Sequence, residues 1–265
     1  MAIICPLFSG SNGNCIYIGD SKTSFLIDIG SSARKVENFL LKHNLDPNNI
    51  SSIFITHEHH DHVSGLKVFV KKYNTKVYAS RGTINFLLNK GILDKDKSNY
   101  KIIFNEMVLE HAIVSCFPTS HDCEEGLGYC VKLKSSGLKI SICSDLGEFS
   151  GEVFNSIKGS DVVFIESNYD IDMLKNGSYP YYLKKRILSS KGHLSNKDCS
   201  AVLPKLIRSG TTRLVLSHLS EENNTEKIAY ETAVDYLSDF GMIANVDYIL
   251  NVAPRFNYGE FKVVL

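Results

Sequence analysis

The segment Ile53-Phe-Ile-Thr-His57-Glu-His59-His-Asp61-His62 outweighs every other stretch of the chain. An apolar strand ends at Thr56, and the pattern H-x-H-x-D-H then packs three imidazoles and a carboxylate into six positions. A loop leaving a strand end can aim all four side chains at one point. Imidazole nitrogens and a carboxylate oxygen suit borderline divalent cations, and strand ends are where open α/β sheets place their ligands. His60 falls on a spacer position and is left out of this set.

Outward from that loop, short β-branched runs alternate with amphipathic stretches. The pattern predicts strands over 3–5, 15–18, 24–28, 52–55, 108–117, 127–133, 139–143, 162–166, 213–217 and 248–250. It predicts helices over 33–43, 63–72, 83–89, 180–188, 197–207 and 222–240. No repeat or Pro/Gly-rich linker interrupts them. Strands and helices mixed throughout indicate one layered α/β domain over residues 1–265, built from two similar halves that meet near residue 136.

The 265 residues carry 29 Lys+Arg against 29 Asp+Glu, with 43% hydrophobic and 22% charged residues. That balance excludes a disordered or fibrous chain and argues against a surface that coats DNA broadly. No apolar run reaches the ~18–20 residues of a membrane span, and no basic segment followed by an apolar one opens the chain, so the expected location is cytoplasmic without membrane attachment. Seven cysteines, odd in number and without a C-x-x-C pair, are expected as reduced thiols.

The H-x-H-x-D-H segment resembles the hallmark of the metallo-β-lactamase superfamily. Further motifs match in order: Asp28 closing Phe25-Leu-Ile-Asp28, His121 in Pro118-Thr-Ser-His121, Asp145 in Ser144-Asp145-Leu-Gly147, and His218 in Leu216-Ser-His218. The resemblance implies an αββα sandwich with two divalent metal ions (zinc, manganese or iron). His57, His59 and His121 would hold one; Asp61, His62 and His218 the other; Asp145 would bridge. Asp28 would orient a ligand histidine.

The substrate is set outside the metal shell. Between Met173 and Lys197 the chain has six basic residues, Lys184, Lys185 and Arg186 among them, no acidic residue, and the interleaved Tyr179, Tyr181 and Tyr182. Basic groups with aromatics suit a phosphate backbone and unstacked bases. The run ends in Gly192-His193-Leu-Ser195-Asn196, where an imidazole, a hydroxyl, an amide and helix-opening N–H groups can grip an anion. This element resembles a motif of the superfamily's nucleic-acid phosphodiesterases, although no long β-CASP insertion fits the chain. The resemblance narrows to the YycJ/VicX (WalJ) group through Ser9-Gly-Ser-Asn-Gly13-Asn14, Glu166-Ser-Asn168-Tyr-Asp170 and Gly192-His-Leu-Ser-Asn196.

That resemblance implies a 5′→3′ DNA exonuclease in which a metal-bridged hydroxide, oriented by Asp61, attacks phosphorus. His193 would serve the leaving oxygen, and Ser195, Asn196, Lys184, Lys185, Arg186 and Asn14 would bind the substrate. A small-molecule metallohydrolase, either a cyclic phosphodiesterase or a thioesterase, is the alternative, and a non-catalytic metal-bound regulator a more distant one. The oligomeric state is left open.

Overall fold

Burial dictates the layers. The computed structural model describes residues 1–259 and 261–265. Along the first half run β1 (Ile3–Phe8), β2 (Cys15–Gly19), β3 (Ser24–Ile27), α1 (Ala33–Lys42), β4 (Ser52–Phe54), α2 (His60–Val63), α3 (Leu66–Tyr73), β5 (Lys76–Ala79), α4 (Arg81–Asn89) and β6 (Tyr100–Ile102). The second half follows with β7 (Glu106–Val108), β8 (Ala112–Pro118), β9 (Leu127–Leu133), β10 (Lys139–Cys143), α5 (Gly151–Ile157), β11 (Val162–Glu166), α6 (Ile171–Asn176), α7 (Tyr181–Ile187), α8 (Asn196–Arg208), β12 (Arg213–Ser217), α9 (Glu226–Asp239), β13 (Ile249–Val252) and β14 (Val263–Val264).

These strands make two seven-stranded sheets, in the orders β14-β1-β2-β3-β4-β5-β6 and β13-β12-β11-β10-β9-β8-β7. In each sheet an antiparallel portion meets a parallel one: β3 through β6 are parallel, as are β10 through β13. Parallel strands covered on both sides read as continuous apolar runs, because alternate residues face two different apolar layers. In β11, Val162 and Phe164 pack between the sheets with Ile27, Phe54 and Tyr129, while Val163 and Ile165 pack against the helices with Leu203 and Leu206. A third layer buries Ile53 and Leu26 against Phe39 and Phe69 of α1 and α3. The αββα sandwich expected from the sequence is therefore the fold. No helix of the described residues is long and apolar enough to cross a membrane, and all seven cysteines are free.

Two expectations need correction. The halves meet between Ile102 and Glu106 rather than near residue 136, because the turn after Leu133 joins two strands of the same sheet. The helix expected over 63–72 breaks into α2 and α3 at Gly65, where a Cβ would collide with the Ser31 carbonyl oxygen. Short elements such as β5, β6, α5 and α6 escaped the sequence pattern because each spans too few residues to show a period.

The sheet ends converge on one edge, where Asp28, the 57–62 loop, His121, Asp145, Glu166 and His218 all follow or close strands. Gly30 threads this edge: its N–H donates to the Asn14 carbonyl at 2.8 Å, and the Asn14 N–H donates to the Asp61 carbonyl at 2.8 Å. A Cβ at Gly30 would overlap the Asp61 carbonyl oxygen and approach the Asn14 nitrogen. Gly30→Ala is therefore expected to cost about 1–3 kcal/mol, the usual penalty of overpacking, and to displace the Asp61 loop. A urea midpoint lowered accordingly, together with weakened divalent-cation binding by chelator competition, checks this; an unchanged midpoint and affinity would refute it.

Candidate metal centre

Asp28 fixes the loop that follows β4. Its carboxylate accepts hydrogen bonds from the Thr56 N–H, the Thr56 hydroxyl and His62 Nδ1, each at 2.8 Å. Donation from Nδ1 leaves the His62 Nε2 lone pair pointing into the site. His59 caps α2 and His60 turns out to solvent, in keeping with its spacer position. His121 is oriented the same way by a carbonyl, which can only accept: Nδ1 donates to the Gly192 oxygen at 3.0 Å, and Nε2 faces inward.

The seven expected ligands meet here in groups that share members. His57, His59 and His121 form one, Asp61, His62 and His218 another; Asp145 joins His57 and His62 in a third, and Glu166, His193 and His218 in a fourth. His59 Nδ1 lies 3.0 Å from His57 Nε2 and 3.3 Å from His121 Nε2. Asp145 stands between the groups, with Oδ2 3.2 Å from His62 Nε2 and Oδ1 3.7 Å from His121 Nε2. Asp61 Oδ2 is 3.5 Å from His62 Nε2 and 3.6 Å from His218 Nε2.

Ring nitrogens and carboxylate oxygens crowd together here. Asp145 Oδ2 and His218 Nε2 are buried and have no hydrogen-bond partner. Buried polar atoms normally have one, and a cation among these groups would supply it. Burial, reinforced by the His62 charge, holds His57 well below the ordinary imidazole range, and burial also lowers His121, so both rings offer lone pairs. At His62 the opposite happens: burial opposes charge, but Asp145, Asp28 and Asp61 outweigh it and raise the ring well above its ordinary value. The local field thus calls for positive charge. The residues fit a divalent-cation centre in donor type, in burial and in charge.

Glu166, at the end of β11, was not assigned a role by the sequence reading. It is fully buried. Oε1 accepts from His218 Nδ1 at 2.7 Å and from His193 Nδ1 at 2.8 Å, while Oε2 accepts from the backbone N–H of Leu146 (2.8 Å) and Leu194 (3.1 Å). Burial would raise this carboxyl, but the His193 charge and the hydrogen bonds from both rings bring it down to about 2. One carboxylate therefore sets the tautomer of a ligand histidine and of His193, and both present Nε2 to the cleft. His193 sits between His121 and His218, with ring centroids 5.0 and 5.3 Å away. The available signal was a lone Glu closing an otherwise apolar strand.

The cleft over this floor has a volume of about 250 Å³. Ser11, Asn168 and Ser220 line one side, and Tyr179, Leu183, Arg186 and Ile187 of the α7 region the other. Five of the six expected substrate-binding residues lie outside the cleft lining. Ser195 is the N-cap of α8: its hydroxyl accepts from the Asp198 N–H and donates to the Asp198 carboxylate, and the residue is fully buried. Asn196 is buried in a network with Ser167 and Asn224. Lys184 donates to the carbonyls of Lys175 and Gly177 at 2.8 Å each, closing the end of α6. Asn14 donates to the Gly10 carbonyl at 3.1 Å and to the Asp61 carboxylate at 3.3 Å, so it positions a ligand instead of facing the cleft. Lys185 is exposed on α7, outside the cleft wall. Arg186 does line the cleft, where its guanidinium makes a two-pronged pair with Asp122, next to His121.

Glu166→Gln tests the carboxylate. Whichever way the amide turns, its NH2 confronts N–H donors, either two imidazoles or two backbone groups. The expected cost is about 1–3 kcal/mol of stability from unpaired buried groups, with metal affinity down by ~10–100-fold. Urea unfolding and chelator competition measure the two; a variant equal to the parent in both would show that Glu166 holds nothing.

Residues 23–219 match the model of the β-lactamase superfamily domain. The exodeoxyribonuclease WalJ of Streptococcus pneumoniae is 34% identical over 91% of this chain and 90% of its own length. The exodeoxyribonuclease YycJ of Bacillus anthracis is 33% identical over 89% of each. In three dimensions the metallo-β-lactamase fold protein YhfI of Bacillus subtilis superposes over the whole of both chains with a TM-score of 0.74 at 14% identity. With its ligand motifs gathered at one edge of an αββα sandwich, the chain belongs to the metallo-β-lactamase superfamily, in the group that contains WalJ and YycJ.

Proposed function

We propose that the cleft is the active site of a dinuclear-metal-dependent DNA phosphodiesterase that acts as a 5′→3′ exonuclease. The observation that carries this reading is the pairing of a complete set of cation ligands with an imidazole, His193, that the ligand set does not need but that Glu166 aims into the same cleft. The exodeoxyribonuclease names of the relatives support the choice of DNA.

Two ions per chain are supported by charge. Asp28, Asp61, Asp145 and Glu166 bring four carboxylates into one largely buried region, and buried charge persists only when compensated. His57, His59 and His121 would hold one divalent ion; Asp61, His62 and His218 the other, with Asp145 reaching both. Bound there, the ions would acidify a water molecule and neutralise charge on a phosphoryl group. The chain's own residues do the rest. Asn14, which donates to the Asp61 carboxylate at 3.3 Å, keeps that group in place beside the attacking group. His193 Nε2 delivers a proton to the departing 3′ oxygen while Glu166 fixes the ring. Arg186 contributes a guanidinium to the wall; its pair with Asp122 is half exposed, and exposed ion pairs are worth only ~0–1 kcal/mol, so a phosphodiester can take Asp122's place at small cost. Tyr181 and Tyr182 are 81% and 73% exposed on the same helix and offer faces for unstacked bases beside Lys185.

A small phosphodiester as substrate is the second reading, favoured by the limited volume of the cleft. Digestion of DNA labelled at either end separates the two. Ordered release of mononucleotides from the 5′ end supports the exonuclease, and turnover confined to a nitrophenyl phosphodiester supports the alternative.

Elemental analysis of reconstituted protein is expected to find two divalent ions per chain, since seven ligands exceed the four positions of a single tetrahedral ion. A ceiling of one equivalent would refute the dinuclear centre.

His193→Ala should keep both ions and still unfold cooperatively yet lose roughly 10²–10⁴-fold in rate on DNA, the range of a positioned general acid. The loss should shrink on a nitrophenyl diester, whose leaving group departs without a proton. Equal losses on both substrates would make His193 a phosphate ligand, and loss of an ion would make it a metal ligand.

A further inference from the structure

A cavity larger than the cleft lies elsewhere on the molecule. A groove of about 660 Å³ runs between α3 and the segment after α4, and it shares no lining residue with the metal centre. Its floor is apolar: Val70, Leu88, Ile92 and Leu93, of which Val70 and Leu93 belong to the core of the first sheet. Lys67 and Lys71, one helical turn apart on α3, form one rim, and Lys95 and Lys97 stand in the loop opposite. Among the described residues Lys67, Lys71 and Lys95 enter no ion pair; Lys97 pairs with Asp94 at 3.5 Å. Asp94 is the one acidic side chain of the lining, and its carboxylate also accepts the Asp96 N–H at 3.0 Å.

The far rim is a braced loop. The Ser98 N–H donates to the Asp94 carbonyl at 2.8 Å, and the Asp94 N–H donates to the Ser98 hydroxyl at 2.9 Å. Gly91, in the left-handed region at φ +62°, ends α4 and turns Ile92 onto the floor. The groove is thus built by the fold, with unpaired cations along an apolar trough.

Such a trough suits a ligand that carries negative charges on its edges and apolar groups along its middle. A nucleic-acid strand has the charge, but its bases need aromatic faces, and no aromatic side chain lines this groove among the described residues. We propose that the groove is a docking site for an acidic, apolar-centred peptide segment of a partner protein, with carboxylates on the lysine rims and aliphatic or aromatic side chains on Val70, Leu88, Ile92 and Leu93.

The test uses the full-length, metal-loaded protein and a fluorescein-labelled heptapeptide, Asp-Asp-Leu-Asp-Asp-Ile-Phe, followed by fluorescence anisotropy. Saturable binding is expected, with shifts in methyl NMR spectra confined to Val70, Leu88, Ile92 and Leu93. The Lys67→Glu/Lys71→Glu double variant should weaken it at least 10-fold, and Lys95→Glu should weaken it less, while turnover of a nitrophenyl diester is unchanged in both. A peptide with lysine in place of each aspartate should not bind. Lack of saturable binding, or equal affinity in the folded double variant, overturns the proposal. So does a loss of affinity for a labelled twelve-residue oligothymidylate with peptide binding unaltered, which would make the groove a nucleic-acid surface.

Discussion

Five imidazoles and two carboxylates are held within a few ångströms of one another at the edge of two sheets, and two further buried carboxylates orient them. Asp28 serves the first half and Glu166 the second. Each closes a parallel strand or follows it directly, and each takes the Nδ1 proton of a ligand histidine, His62 or His218, so that Nε2 must face inward. Each also ties down backbone N–H groups, of Thr56 in one case and of Leu146 and Leu194 in the other. The centre is consequently pinned to both sheets, and its geometry is inherited from the packed interior between them.

The backbone itself is strained where the ligands gather. Asp28, Asp145 and His218 take φ values of +60°, +56° and +57°, in the left-handed region that residues with a Cβ visit at a cost. All three follow strands, and the reversal sends the next residues away from the sheet while the side chain stays over its end. Hydrogen bonds fix two of them: the Asp28 N–H donates to the Phe54 carbonyl, and the His218 N–H donates to the Ser9 hydroxyl. Strain of this kind persists where the surrounding pairing over-determines it, and three of the six described non-glycine residues at positive φ belong to the candidate centre or hold it.

What the sequence made legible follows from distance along the chain. The 57–62 loop was readable because its ligands are local and their spacing is itself the signal. His121, Asp145 and His218 were readable through resemblance at strand ends. The role of Glu166 was not, because its partners lie 27 and 52 residues away and a lone Glu closing an apolar strand does not name them. Ser195 and Asn196 look like anion ligands in sequence because a helix start offers both hydroxyl and amide; the fold spends these groups on capping α8 and on binding Ser167 and Asn224. Sequence pattern marks polar groups but cannot say which of them the interior has already satisfied. The same holds for Lys184, whose charge was visible and whose two carbonyl partners were not.

The floor and the wall of the cleft differ in how they are held, and that difference divides their roles. Floor residues follow the ends of buried strands and are held by the interior carboxylates of Asp28 and Glu166. The α6–α7 wall rests on a small apolar cluster of its own, around Tyr169, Leu174 and Ile187, and meets the opposite side of the cleft through the half-exposed Arg186–Asp122 pair. Few buried contacts and solvent-exposed bonds are the physical marks of a region that opens at low free energy. A floor that cannot shift keeps reacting groups in place, whereas a wall that can shift admits substrates of different shape without disturbing them. Changes confined to 171–187 can therefore alter what enters the cleft while the ligand set below stays as it is, since no side chain of that segment holds Asp28, Glu166 or any of the seven ligands in position.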